Sequence, residues 1–461
     1  MTCLATIFLD FQLPNAATWY YFSLILAIAL FVKFNRFVSI RNVDVLSLYL
    51  MVPGFLFLMD AAKVPVQTEG YRNLTLYGFI WLIGGSLVLF VRCLLDLTLI
   101  SRPALLPNIN LSGLAWLSTA MFMCMAPIAA RLPAELQQPV GKSTAAMVAL
   151  SNASTQTLDQ VQSLTGAERD EELTRFWVSR SIAILSHLAV IAALVLIGSI
   201  HFQNTTSGMA AATFYLLLPY TAYHVGQAHH VFPAALLIWA VYCYRRPWLS
   251  GLLIGLGAGS CFFPALTLPV WLSFYRKAGM GRFLAAFGVA AGISLGLTGL
   301  ILWADGKLTQ SLQLVFSLAD WQPWKASDLE SIWHGIHGAY RLPVFILYLM
   351  FLIATSFWPR PKNLAHVVAL CAALLIGIQF WYADRGGVYV LWYLPLMMLI
   401  VFRPNLMDRR PPPLPPLPTW PISMARRARE WMSHATRPRE PLAKVCAAVS
   451  RRSCCDFRAP V

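Results

Sequence analysis

From residue 19 to residue 402, apolar residues fall into runs of roughly 15 to 20, broken by short polar or basic stretches, and runs of that length suffice to cross a bilayer as helix. Thirteen runs are distinguishable: 19–32, 45–59, 76–91, 111–130, 182–200, 209–223, 231–244, 248–260, 262–275, 283–303, 342–357, 364–381 and 388–402. Inside lipid each segment must satisfy its own backbone N–H and C=O groups, which selects helices over open strands. The pattern therefore predicts an all-α, polytopic transmembrane helical bundle of about thirteen crossings.

The polar breaks carry an alternation. Lysine and arginine mark the segments at Lys33, Arg36 and Arg41, at Arg92 and Arg102, at Arg245 and Arg246, at Arg276, Lys277 and Arg282, at Arg360 and Lys362, and from Arg403 onward. Basic residues beside spans are held in the cytoplasm, so these are the expected inner loops, with the N-terminus outside and the C-terminus cytoplasmic. The loop 201–208 has no lysine or arginine and is placed inside by parity alone. Residues 248–275 are flanked by basic clusters at both ends, which one straight helix could not keep on one side. Gly255, Gly257 and Gly259 followed by Pro264 predict instead a hairpin of two short helices with its tip at 260–263.

On this reading, 1–110 are N-terminal transmembrane helices, 111–303 a transmembrane core with an external loop 131–180, 304–341 a tryptophan-rich external loop, and 342–402 C-terminal transmembrane helices. Alternating small apolar and polar residues at 144–164 predict surface helices in the first loop. Residues 403–461 form a proline- and arginine-rich tail with twelve Lys or Arg against four Asp or Glu, so net +8 of the chain's +15 lies there. Its prolines at 411–418 favour polyproline II and its arginines suit anionic lipid or a protein partner.

Composition closes off several classes. With 58% hydrophobic and 12% charged residues, the chain lacks the polar groups to cover a soluble surface. The first positive charge, Lys33, follows the first apolar run, so 19–32 is expected to stay as a span and not be cleaved as a leader. The nine cysteines form no C-x-x-C pair and indicate neither a zinc site nor a disulfide framework. Gly141-Lys142-Ser143 lacks the preceding glycine of a phosphate-binding loop, and no nucleic-acid partner is indicated. Charge within spans is scarce: His187 is well inside one, while Asp44, Asp60, Arg92 and Asp305 lie near span ends.

The densest chemistry lies in Leu216-Leu-Leu-Pro219-Tyr220-Thr-Ala-Tyr223-His224-Val-Gly226-Gln227-Ala-His229-His230, then Arg245-Arg246-Pro247, Gly251-Leu-Leu-Ile-Gly255-Leu-Gly257 and Phe262-Phe263-Pro264. This order resembles the membrane glycosyltransferases of the GT-C superfamily, particularly the bacterial polyprenyl-phosphate-dependent mannosyltransferase-like branch. The resemblance covers roughly 111–303, with a weaker part at Trp381-Tyr382-Ala-Asp384-Arg385-Gly386-Gly387. It implies transfer of a sugar from a polyprenyl-phosphate donor on the external face of a plasma (inner) membrane, if the source is bacterial. A carboxylate would activate the acceptor hydroxyl. The acidic pair usual after the family's first core span is absent, and Glu135 is the carboxylate near that place; a degenerate, inactive relative stays open.

The residues expected to matter are Glu135, Asp320, Asp328 and Asp384 as catalytic carboxylates, with His224, Gln227, His229, His230, Trp321, His334 and Arg385 as substrate contacts. Imidazoles at 224, 229, 230, 334 and 337 also admit a divalent metal, with His334 and His337 on one face if helical, and the sequence establishes no other cofactor. Two other classes remain: a non-catalytic scaffold or lipid-binding protein whose tail recruits a cytoplasmic partner, and a transporter, which the scarcity of buried charge disfavours.

Overall fold

The computed structural model describes residues 15–36, 38–99, 105–131, 171–304, 330–404, 406, 409–411 and 413. Residues 132–170, residues 305–329 and the chain beyond 413 lie outside the described residues, and with them Glu135, Asp320, Trp321, Asp328 and the expected surface helices.

The described residues are helical, with no strand among them. The helices are α1 (Ala16–Phe31), α2 (Ile40–Ser47), α3 (Val52–Ala61), α4 (Glu69–Asp96), α5 (Leu111–Arg131), α6 (Glu171–Leu196), α7 (Thr205–Leu217), α8 (Pro219–Tyr223), α9 (Ala228–Tyr242), α10 (Pro247–Ser260), α11 (Leu268–Tyr275), α12 (Met280–Ala304), α13 (Gly338–Phe357), α14 (Leu364–Trp381) and α15 (Leu394–Phe402). Each of the thirteen apolar runs overlaps one of these or a consecutive pair, with 262–275 opening on a 3-10 turn before α11 and 388–402 on another before α15. Seven stretches are long and apolar enough to cross a membrane, Ile40–Ala61, Glu69–Asp96, Leu111–Ala129, Trp177–His201, Met280–Leu297, Gly338–Phe357 and Leu364–Trp381. Shorter apolar helices accompany them. The chain is an integral membrane protein.

Burial follows hydropathy in the way lipid requires. Helix α14 is apolar on every side and is buried along almost its whole length, so it is the central post of the bundle. Helices α12 and α13 are also apolar but expose Leu284, Val289, Ile293, Ile346, Leu347, Met350 and Ile353, a surface suited to acyl chains. His187 lies wholly inside, its Nδ1 2.9 Å from the Tyr215 hydroxyl, as a packed core histidine.

The hairpin forms as its flanking charges demand. Helix α10 stops at Cys261, a 3-10 turn covers Phe263–Thr267, and α11 runs back until the Tyr275 hydroxyl donates to the Tyr244 carbonyl at 2.6 Å. Both basic flanks therefore sit at one end. What holds the hairpin is close backbone approach: a Cβ at Gly251 would lie 2.2 Å from the Phe283 carbonyl oxygen, and one at Gly255 2.5 Å from that of Phe287. Only hydrogen at those positions lets α10 lie on α12, the small-residue packing that membrane helices use without a hydrophobic driving force.

Contacts sort the loops onto two ends in the order the charges predict. At the basic end Lys33 reaches Asn108, Arg41 reaches the Leu106 carbonyl, and Asp44, Arg92, Asp96 and Arg403 form one ion-pair network. The Leu364 N–H donates to the Arg409 carbonyl, and His201 Nε2 lies 2.8 Å from the Tyr242 carbonyl, which puts the uncharged loop after α6 at this same end. At the opposite end Tyr223 donates to the Ala16 carbonyl, Tyr71 to Glu330, and Trp333 to the Phe380 carbonyl.

Lys362, in the loop before α14, is 5% exposed and donates to the Ser273 hydroxyl at 2.8 Å and to the Pro359 carbonyl at 3.3 Å. Burial, reinforced by Arg360, pushes its amine down to about 8 from 10.5. Between those values the unfolded chain holds a proton that the folded one has released, so stability should rise with pH across that window. Unfolding midpoints in detergent at pH 7.5, 9 and 10 should show this rise, and Lys362→Met should flatten it; an unchanged slope in the variant would refute the assignment.

Candidate functional site

Two stretches about 150 residues apart build the site. In the first, Pro219 lacks the N–H needed to continue α7, so the chain extends at Leu218 and restarts as the single turn α8. The backbone then closes a tight turn, with Gln227 N–H on the His224 carbonyl and His230 N–H on the Gln227 carbonyl. That turn brings the His224 and His230 rings face to face, with centroids 4.5 Å apart and planes 14° apart. His229 tilts against His230 at 4.4 Å, and His224 Nδ1 lies 3.0 Å from Gln227 Oε1.

In the second stretch α14 ends at Trp381 and the chain turns through Asp384, Arg385, Gly386 and Gly387. Gln379, buried at the last turn of α14, accepts the Gly387 N–H at 2.8 Å and fixes the turn. Arg385 sits at φ 46°, in the left-handed region that costs a non-glycine residue energy. Glu330 holds it there: the Glu330 carbonyl accepts the Arg385 N–H at 2.8 Å, its carboxylate faces the guanidinium at 3.3 Å, and Tyr71 donates to that carboxylate at 2.6 Å.

The stretches meet through aromatic rings. Tyr389 stacks on His230 at 5.2 Å and 24°, Trp392 on Tyr389 at 4.1 Å and 21°, and Phe263 at the hairpin tip on Trp392 at 4.0 Å and 17°. Five rings from His224 to Phe263 thus form one column. The Tyr389 hydroxyl points to Asp384 Oδ2 at 3.4 Å, which ties the buried carboxylate to the histidines. Arg180, 3% exposed, lies directly over Gly226, where any side chain would meet its guanidinium.

Of the expected residues, His224, Gln227, His229, His230, Asp384 and Arg385 come together here. His334 and His337 do not share a helix face: His334 lies in a turn closed onto the Ser331 carbonyl, and His337 caps α13 by accepting the Ala339 N–H. Tyr71, Arg180, Glu330 and Tyr389 belong to the site without having been singled out. The density of aromatic residues from Phe380 to Tyr393 was the available signal for Tyr389.

The electrostatics are unusual in one respect. His224 Nε2, His229 Nε2 and both nitrogens of His230 are buried and make no hydrogen bond among the described residues. Each such group costs about 1–3 kcal/mol unless something supplies a partner. Burial, helped by the nearby Arg385 charge and opposed by the Gln227 hydrogen bond, pushes the His224 imidazole down to about 4, so it is neutral at pH 7. Among the described residues no group of three or more His, Cys, Asp or Glu could hold a metal ion. The arrangement gathers three imidazoles with one carboxylate and one guanidinium nearby. No protein-family model, no curated protein and no solved structure matches this chain.

Proposed function

We propose that the chain is a membrane glycosyltransferase that takes a sugar from a polyprenyl-phosphate donor at the histidine end of the bundle. The observation that carries this reading is the convergence of His224, Gln227, His229 and His230 with Asp384 and Arg385, from the two stretches that resemble GT-C enzymes. In this reading the histidine end lies outside, the basic end and the tail lie in the cytoplasm, and the membrane is the inner one if the source is bacterial. Arg385 takes the donor phosphate through a charge-assisted contact, and Asp384 stabilises the positive charge that develops on the sugar ring as its bond to phosphate breaks.

The test is consumption of labelled polyprenyl-phosphate mannose by the full chain in phospholipid vesicles. Arg385→Ala should lower turnover per KM by about 10- to 100-fold, the worth of one charge-assisted contact. Asp384→Asn should lower turnover itself. Wild-type protein that consumes no lipid-linked sugar from a panel of such donors would refute the reading and leave the scaffold alternative.

A further inference from the structure

We infer that His224, oriented by Gln227, is the proton acceptor that activates the incoming hydroxyl. The inference rests on the glycosyltransferase reading and assigns the one role which that reading leaves open.

The argument begins with which nitrogen of His224 carries hydrogen. The Gln227 carboxamide presents its oxygen to Nδ1 at 3.0 Å, and an amide oxygen only accepts, so Nδ1 holds the N–H. A neutral imidazole has one N–H and one lone pair, so the lone pair is on Nε2. That Nε2 is buried and bare among the described residues. It needs a donor, which the deprotonated phosphodiester of a lipid-linked sugar cannot provide and a hydroxyl can. The pattern is that of an oriented general base, with one ring nitrogen held by a fixed acceptor and the other presenting its lone pair.

The surroundings keep the ring in that form. His230 lies against one face at 4.5 Å and Phe55 meets the ring edge to face at 5.5 Å. The other titratable or charged groups around it include Tyr223 beside it, His229 and His230 on α9, Arg180 and His187 on α6, and Asp384, Arg385 and Tyr389 after α14. Burial holds the imidazole down to about 4, the range of an ordinary carboxylate. In this structure Nε2 is closed to solvent, so a hydroxyl reaches it only as substrate binding parts the side chains around it.

In the transfer, the acceptor's O–H proton passes to His224 Nε2 while its oxygen bonds to the anomeric carbon of the sugar. The bond from that carbon to the phosphate oxygen breaks and its electron pair leaves on the lipid phosphate. The imidazolium then returns its proton to water.

The vesicle assay with polyprenyl-phosphate mannose and an alcohol acceptor separates this inference from the reading beneath it. His224→Gln should lower turnover by about 100-fold or more with donor KM within about threefold, because the base acts in the transition state. Gln227→Glu should move the acid limb of turnover upward by about one pH unit or more, since a carboxylate beside Nδ1–H favours the imidazolium; a merely structural role would leave that limb in place. Gln227→Leu keeps the imidazole but frees its tautomer, and should lower turnover about tenfold if His224→Gln does not fold. Active wild type with His224→Gln or Gln227→Leu turnover unchanged overturns the inference alone, whereas wild type without turnover overturns both.

Discussion

Replacing Asp96 with alanine is expected to destabilise the folded chain by about 3–5 kcal/mol, the cost of stranding a buried charge. Asp96 is 3% exposed at the last residue of α4 and accepts from Arg403 Nη2 at 2.6 Å, from Arg403 Nε at 3.0 Å and from Arg92 Nη1 at 3.2 Å. Arg92 in turn holds Asp44, with Nη2 on Oδ2 at 2.8 Å. Among the described residues these contacts join Asp44, Arg92, Asp96 and Arg403, and they fasten α2, α4 and the exit of the last helix. Remove Asp96, and Arg403, 4% exposed, keeps its charge without the carboxylate that accepts from it. The double variant Asp96→Ala with Arg403→Met should regain much of the loss, because no buried charge is then stranded. Thermal unfolding of purified protein in detergent measures both, and an Asp96→Ala variant as stable as wild type would show that the network is not structural.

That network also marks where sequence reading stops. Asp44 and Arg92 are visible as charges near span ends, but their pairing joins residues 48 apart, and Asp96 with Arg403 joins residues 307 apart. Nothing in hydropathy encodes such distances. The spans themselves were legible because a bilayer imposes one length and one polarity on every segment, and the hairpin at 247–275 was legible because charge at both flanks leaves one topology. The loop at His201 was placed by parity and is fixed in fact by a hydrogen bond to Tyr242.

The site was legible as residue types and not as an arrangement. Histidines 224, 229 and 230 stand out in an apolar chain, and Asp384-Arg385 stands out beside them. Their meeting depends on Tyr389, Trp392 and Phe263, apolar-run residues that look like ordinary core until the rings are seen to stack. His334 and His337 show the reverse failure. Their spacing suits one helix face, but the turn 331–336 ends before α13 begins, and only His337 reaches the helix, as its cap.

The ring column hangs on the hairpin tip, so a change far from the histidines should disturb it. Gly251→Leu is expected to unseat α10 from α12. The obstacle to a Cβ there is the Phe283 backbone at 2.2 Å, which cannot rotate away as a side chain would. Overpacking of this kind costs about 1–3 kcal/mol even for small additions, and leucine adds three further carbons. As α10 moves, the Tyr275 to Tyr244 hydrogen bond and the Phe263 to Trp392 stack lose their register, so the hairpin end and the site end should loosen together. Gly288, on α12, is the control: a Cβ there meets nothing within 4 Å, and Gly288→Leu should leave the unfolding midpoint near that of wild type. If Gly251→Leu and Gly288→Leu unfold at the same temperature, close backbone approach is not what seats the hairpin, and the column must be held from the α14 side alone.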